Sequence, residues 1–336
     1  MIIGVTHLNE YPNHELVKLF DPTVLFQTVP LFQDSSPLDR VLDVLACLSD
    51  HVICYGSIDH EPLDKVEFRE PLVEGSRNSP SIFHVARNHR QEMILYVPSH
   101  IICSDYESLK TDIREAIRIA ETTNQFVVLT TERWSGADHN VGWCATNHYI
   151  APLQGLERSK FLLGHAQGRA HELHDLRYQA STGICVFPSK KVFNAIKNTM
   201  PKYYEWIVNA EWSNVCDLTF EQAVLENVMN FQTLHTKTVT MPVNHFYQMY
   251  LYLLHAVNKG EPFSSAGWTV CAGNSEYEIA VRRVDSHQTN VDLLPGVYFK
   301  HGVTDIESLD EVVFVEKEKT YRKFERNIEL MRIRKL

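Results

Sequence analysis

Short apolar runs alternate with amphipathic helical patterns from the first residues of this chain, and this alternation restricts its fold more than any other feature. Five runs are predicted to be strands: Ile2 to Val5, Val52 to Tyr55, Met93 to Val97, Phe126 to Thr130 and Gly183 to Phe187. Strands of this length separated by helical segments are typical of βα units around a mainly parallel sheet. We therefore predict an α/β fold whose helices flank the sheet.

The helical segments show both periodicity and start signals. Apolar residues recur every three or four positions from Leu38 to Leu48 and from Leu109 to Ala120, which predicts two helices with one buried face each. Pro188-Ser189 can end a strand and cap the next helix, and Thr219 and Gln222 have the spacing of a capping box. Both segments are therefore predicted starts of helices.

The character of the sequence changes near residue 260, where loops that contain Gly and Ser replace the regular alternation. We predict a main domain over residues 1–260, a small β-rich extension over 261–315, and a charged helical tail over 316–336. A chain of 336 residues with 44% hydrophobic content can bury one large core and a small appendage.

Composition excludes several classes of protein. The formal net charge of −10 argues against nucleic acid or an anionic membrane as the main partner. No run of about 18 apolar residues occurs, so we expect no membrane span, and no signal peptide is visible. Seven cysteines lie singly without a CxxC pair, which indicates reduced thiols and a cytoplasmic location. Neither a GxGxxG fingerprint nor a Walker P-loop is present, so NAD-dependent and ATPase functions find no support.

Six collinear segments carry a resemblance to a known family. They are Tyr11-Pro12-Asn13, Glu74 to Pro80, Met93 to His100, Asn140 to Trp143, Ala180 to Phe187 and Phe220 to Glu226. Their order and spacing resemble the motifs of the sugar-1-phosphate nucleotidyltransferase superfamily, and most of all its mannose-1-phosphate guanylyltransferase branch. The resemblance covers roughly residues 1 to 255 and implies a Rossmann-like (GT-A-like) nucleotidyltransferase fold with a mainly parallel sheet flanked by helices.

The resemblance fails at the residues that handle phosphate. The family joins a nucleoside triphosphate to a sugar 1-phosphate with the help of a Gly-rich loop, basic side chains and a divalent metal. At the place of that loop, Gly4 to Glu10 contains one glycine and no arginine, and Asn13 replaces the lysine of the next motif. The sugar-phosphate lysine, expected near Leu163 to His165, is also missing.

The metal ligands implied by the family are missing too. Ser99 is followed directly by His100, so the aspartate of that motif is absent, and no carboxylate occurs from Pro242 to Tyr247, where the second is expected. Mg²⁺ requires oxygen ligands, which an imidazole does not supply. We expect no pyrophosphorylase activity, assign no catalytic residue or metal ligand, and regard Mg²⁺ as a cofactor only if the protein is active.

The loop that lies over the nucleobase in the family is better preserved than the phosphate machinery. A carboxylate and an amide there can read the edge of a purine by hydrogen bonds. The predicted nucleotide-binding residues are accordingly Glu74, Arg77, Asn78, Asn13, Ser99 and His100. The alternative is that Arg77 and Asn78 only close a turn.

Two other groups of polar residues are candidate sites. His171 and His174 would share a helix face and, with His165 or Asp175, have the ligand types of a zinc site. Asp138-His139 could be an acid–base pair. For both groups we favour the alternative, a solvated surface.

The sequence is therefore compatible with two functions. One is a catalytically inactive protein that binds a nucleotide or nucleotide-sugar, or acts as a scaffold or regulatory subunit. The other is an active, divergent nucleotidyltransferase or glycosyltransferase that makes or uses a nucleotide-sugar. The tail, residues 316–336, carries an apolar stripe on a basic segment, which suits either self-association, a protein partner, or packing on the chain's own core.

Overall fold

A computed structural model describes the chain in sixteen stretches: residues 1–8, 26–28, 35–56, 63–74, 76–103, 105–131, 142–145, 161–162, 178–215, 218–227, 231–238, 240–242, 268–271, 279–284, 296–300 and 312–315. Within these stretches, no helix combines the length and the hydropathy that crossing a bilayer requires.

The elements of the larger part of the structure follow one another in chain order. They are β1 (Ile2–His7), α1 (Pro37–Leu48), β2 (His51–Tyr55), β3 (Val66–Arg69), α2 (Ser79–Asn88), β4 (Met93–Tyr96), β5 (Ile101–Cys103), α3 (Tyr106–Thr123), β6 (Val127–Thr131), β7 (Trp143–Ala145), β8 (Phe161–Leu162), β9 (Tyr178–Pro188), α4 (Ser189–Thr199), α5 (Pro201–Asn209), α6 (Phe220–Ala223), β10 (Gln232–His235) and β11 (Thr240–Pro242). Single 3₁₀ turns occur at Phe26–Thr28, Trp212–Asn214 and Leu225–Asn227.

The strands form a mixed, mostly parallel sheet with the order β10-β6-β9-β4-β1-β2-β3, and β7 and β8 extend it beside β9. The pairs β1–β2, β1–β4, β2–β3 and β6–β10 are parallel, whereas β9 runs antiparallel to both β4 and β6. Strands β5 and β11 form a separate antiparallel pair. This sheet and its helices confirm the predicted Rossmann-like α/β fold class.

Helices cover both faces of the sheet because successive strand residues point to opposite sides. Ile3, Val5 and Ile53 belong to the core beneath α2, α4 and α5. Val52 and Leu95 belong to the opposite core, beneath α1 and α3. The strands are therefore buried on both sides, which explains why they appear in the sequence as continuous apolar runs.

Helices α1 and α3 are joined through one buried cation. The Lys110 ammonium on α3 lies 2.7 Å from a carboxylate oxygen of Asp43 on α1 and 2.7 Å from one of Glu107 in its own first turn. Helix α1 begins with a complete capping box, in which the side chains of Ser36 and Asp39 each bond the other's backbone N–H.

Both predicted helix starts are confirmed, but they differ in their caps. Thr219 and Gln222 form both hydrogen bonds of a capping box, although the helix that follows spans only four residues. At Pro188-Ser189, β9 ends and α4 begins as predicted, but no side chain caps the helix. The Ser189 hydroxyl is buried and has no hydrogen-bond partner in the described parts of the chain.

Four strands lie within the predicted C-terminal extension. Strands β12 (Trp268–Cys271), β13 (Ile279–Val284), β14 (Gly296–Lys300) and β15 (Val312–Val315) form a four-stranded sheet in the order β12-β14-β13-β15. Val312–Val315 is a strand as the sequence predicted. The proposed boundaries at residues 260 and 315 stay predictions, and the tail lies outside the described residues.

Candidate functional site

The order of the strands has a switch point at the carboxyl ends of β1 and β4. The chain adds β2 and β3 on one side of β1 and then returns to place β4 on the other side. At such a switch point the connections after the two central strands leave in opposite directions, and α/β proteins bind ligands in the opening between them. His7 ends β1, and residues 97–100 follow β4.

A buried serine holds the two strand ends together. The Ser99 hydroxyl donates a hydrogen bond to the His7 carbonyl oxygen at 2.8 Å. Two residues earlier in both segments, the Val97 amide donates a hydrogen bond to the Val5 carbonyl oxygen at 3.1 Å. Ser99 is completely buried, so its hydroxyl fixes the two strand ends relative to each other without competition from water.

His7 is an uncharged imidazole at the carboxyl end of β1. Its Nδ1 lies 3.0 Å from the Ser81 hydroxyl on α2, and the ring is 4% exposed. Burial lowers the pKa of His7 to about 4, and the nearby Ser76 backbone opposes this shift only partly. The ring is therefore neutral at physiological pH.

Asn78 connects three elements where the loop after β3 meets α2. Its Nδ2 donates to the Tyr96 hydroxyl at 3.0 Å, and its Oδ1 accepts the Phe220 backbone N–H at 2.9 Å. The amide therefore joins the start of α2 to β4 and α6. Sequence analysis had selected this residue for nucleotide recognition, and the structure gives it a scaffold role at the same position.

An acidic group lies beside this junction. Burial raises the pKa of the Glu221 carboxyl, as does the nearby charge of Glu226, while hydrogen bonds from its own backbone, Thr219 and Asn78 lower it. Glu221 in turn contributes to the raised pKa of the buried Tyr96 hydroxyl. A carboxyl with a raised pKa in such a place can accept or deliver a proton nearer to neutral pH.

The predicted site residues differ in how far they are exposed to solvent. Glu74 and Arg77 are exposed on the loop before α2, and Asn78 and His100 are partly buried. Burial lowers the pKa of the His100 imidazole to about 4. Asn13 lies outside the described residues.

Sequence analysis did not identify His7, Ser76, Ser81, Tyr96 or Glu221 as site residues. Tyr96 and Glu221 lie inside segments that carried the family resemblance, but nothing in their spacing distinguishes them from core residues. His7 ends an apolar run, which is where α/β folds place site residues. That position is the one signal in the sequence that could have identified it.

Gly4 lies within β1 and not in a loop. A Cβ atom at this position would lie 2.7 Å from the Ser49 hydroxyl oxygen and 3.2 Å from both Leu45 and Val52. The glycine thus allows the end of α1 to approach the strand closely. The one glycine of the segment that resembles the phosphate loop has this packing role.

The described residues contain no group of three or more His, Cys, Asp or Glu side chains that could hold a metal ion. The histidines of residues 165–174, Asp175 and Asp138-His139 lie outside those residues. Among the cysteines that are described, Cys54, Cys103, Cys144 and Cys185 are buried and Cys47 is exposed, and none of these five forms a disulfide.

Comparison with known proteins identifies the fold. No family model and no curated protein matches the sequence. The solved structure of a mannose-1-phosphate geranyltransferase from Thermus thermophilus matches 98% of this chain and 99% of its own, with a TM-score of 0.69 and 13% identity. A mannose-6-phosphate isomerase from Helicobacter pylori matches 71% of this chain and 99% of its own, with a TM-score of 0.57 and 13% identity.

A UDP-glucose pyrophosphorylase from Acinetobacter baumanii shows a weaker similarity over 76% of this chain and 93% of its own, with a TM-score of 0.49 and 11% identity. The similarity to the Thermus thermophilus structure spans nearly the whole chain, and it agrees with the mixed, mostly parallel sheet found here. The chain has a sugar-phosphate nucleotidyltransferase-like fold, as the sequence motifs predicted.

Proposed function

We propose that this protein binds a nucleotide or nucleotide-sugar at the carboxyl ends of β1 and β4 and does not catalyse pyrophosphorylase chemistry. The observation that supports binding best is the switch point in the strand order, where His7, Ser99 and Asn78 lie at the carboxyl ends of both strands. Exposed Glu74 and Arg77 on the adjoining loop supply a carboxylate and a guanidinium to a bound base or phosphate.

The proposed loss of catalysis rests on the residues that replace the family's charged groups. Triphosphate and developing pyrophosphate need basic side chains and a hard divalent cation. Here Ser99 bonds a backbone carbonyl, His100 is a neutral imidazole, and Gly4 packs inside a strand. These replacements agree with a role as a scaffold or regulatory subunit. We place that role in a reducing, cytoplasmic compartment.

Binding is tested by calorimetry with guanosine, adenosine and uridine nucleotides and nucleotide-sugars, each with and without Mg²⁺. Replacement of Glu74 by alanine should weaken the preferred ligand by about 1 to 3 kcal/mol if the carboxylate bonds a base edge. Glu121→Ala is the matched control, because Glu121 is equally exposed near the far end of α3. Absence of binding at millimolar nucleotide would refute the proposal.

The second candidate is an active enzyme, and the raised pKa of Glu221 beside Asn78 and Tyr96 favours it. Pyrophosphate release from GTP or ATP with hexose 1-phosphates and Mg²⁺ separates the two candidates. We expect none. A turnover of about 1 s⁻¹, ordinary for an enzyme, would overturn the proposed inactivity, and its loss in Glu221→Gln would then assign the proton-transfer group.

A further inference from the structure

The start of α2 holds a group of buried polar atoms that the proposed function does not use. Among the described residues, the hydroxyls of Ser76 and Ser79 and Nε2 of His7 have no hydrogen-bond partner. Ser79 is 0% exposed, His7 4% and Ser76 5%. Buried polar atoms in native proteins nearly always have partners, so each orphan atom points to a missing ligand or water.

The residues that carry these atoms lie at one end of α2. Ser79 is the first residue of the helix, and Nδ1 of His7 lies 3.0 Å from the hydroxyl of Ser81 in the same first turn. The His7 ring also interacts with the Ser76 backbone. The imidazole therefore lies between Ser76 and the first turn of the helix.

The helix terminus has no side-chain cap. Asn78 occupies the cap position, but its Oδ1 accepts the Phe220 N–H and its Nδ2 bonds Tyr96, so it does not bond the first turn. No acidic residue lies in that turn. The first N–H groups of a helix have no carbonyl partner within it and carry a partial positive charge, which favours an anion.

We propose that Ser76, Ser79, His7 and the first turn of α2 bind a tetrahedral oxyanion of the phosphate class. The hydroxyls and the backbone N–H groups of Ser79 and Ser81 supply neutral donors that match phosphate oxygens, as helix starts do in other anion sites, whereas Pro80 between them has no N–H. The oxyanion is either free phosphate or a phosphate group of a nucleotide. In the second case the inference deepens the proposed function and rests on it.

The test titrates the full chain with sodium phosphate at constant ionic strength and follows heat of binding. We expect saturable binding, weakened about tenfold by Ser76→Ala or Ser79→Ala, since each removes one hydrogen bond to a charged group. Ser189→Ala is the matched control: Ser189 is also a buried, unpartnered first residue of a helix, but its backbone N–H already bonds the Glu92 carbonyl at 3.0 Å. The Ser189→Ala variant should bind phosphate as tightly as the parent protein.

A measurement on the unmodified protein keeps the test valid if a variant fails to fold. Phosphate should slow amide hydrogen exchange in the peptide that contains residues 76–82 and leave the start of α4 unchanged. Absence of saturable binding up to about 50 mM phosphate would overturn the proposal. A dissociation constant of that size corresponds to a binding free energy of only about 1.8 kcal/mol at a 1 M standard state. Equal binding by all variants, or protection confined to other peptides, would overturn the proposal as well.

Parallel titrations with a nucleoside and its monophosphate separate this inference from the proposed function. Binding of phosphate without binding of either nucleoside compound supports the anion site and refutes nucleotide binding. Equal binding of nucleoside and monophosphate, with none of phosphate, refutes the anion site and leaves nucleotide binding standing. Tighter binding of the monophosphate, weakened by Ser79→Ala, identifies the oxyanion as part of a nucleotide.

Discussion

Replacement of Asn78 by alanine removes both hydrogen bonds that this amide makes across the candidate site. Tyr96 is 3% exposed and Phe220 is 0% exposed, so bulk water does not reach the two groups that lose their partner. A buried polar group left unpaired costs about 1 to 3 kcal/mol. For the two groups together we expect the free energy of unfolding to fall by about 2 to 5 kcal/mol.

Urea denaturation followed by circular dichroism measures this loss, and a double-mutant cycle assigns it. Tyr96→Phe removes the hydroxyl that Asn78 bonds, so the pair should show a coupling energy of about 1 kcal/mol. Asn194→Ala, on the exposed side of α4, is the matched control and should change stability by less than about 0.5 kcal/mol.

A loss below about 1 kcal/mol for Asn78→Ala would refute the reasoning, because it would mean that other groups satisfy Tyr96 and Phe220. A large loss without coupling to Tyr96→Phe would leave only the Phe220 bond as the source. The first result would return Asn78 to the role that the sequence predicted, namely contact with a ligand, whereas the second would keep it as a structural residue that holds the start of α6.

Three further predictions concern separate parts of the chain. Gly183 has φ of +78° and a Cβ there would lie 2.7 Å from Pro98 Cγ, so Gly183→Ala should destabilise by about 2 kcal/mol or more in the same urea assay; an unchanged midpoint would contradict it. His7 and His100 have pKa values of about 4 when folded against 6.5 when exposed, so the unfolded chain binds more protons between these values. Stability should therefore fall as pH drops from 6.5 towards 4, by up to about 1.4 kcal/mol per pH unit for each histidine, and His7→Gln should flatten the dependence; a flat profile in the parent protein would be the contrary result. Deletion of residues 316–336 should leave the α/β core folded and change the mass measured by light scattering; an unchanged mass would exclude self-association through the tail.

Local sequence was sufficient for most of the elements that line the two cores. The runs at β1, β2, β4, β6 and β9 are apolar enough, and the stripes of α1 and α3 regular enough, to be recognised without a structure. Helix α2 was missed because its first turns are rich in Ser and Pro, and its identity depends on contacts with β1 and β4. Strand β3 was missed because its residues are only partly buried and do not form an apolar run.

The sequence by itself determined the α/β class, the family resemblance, and the loss of charged residues at the expected phosphate and metal positions, since these depend on residue type and spacing alone. Tertiary structure decided how those residues are used. The antiparallel insertion of β9 between β4 and β6 depends on pairing between distant segments, which no local pattern encodes. The same holds at the site, where Asn78, Ser99 and His7 acquire their roles from partners 18 to 142 residues away in the chain, because a side chain's hydrogen bonds are set by what folding brings next to it.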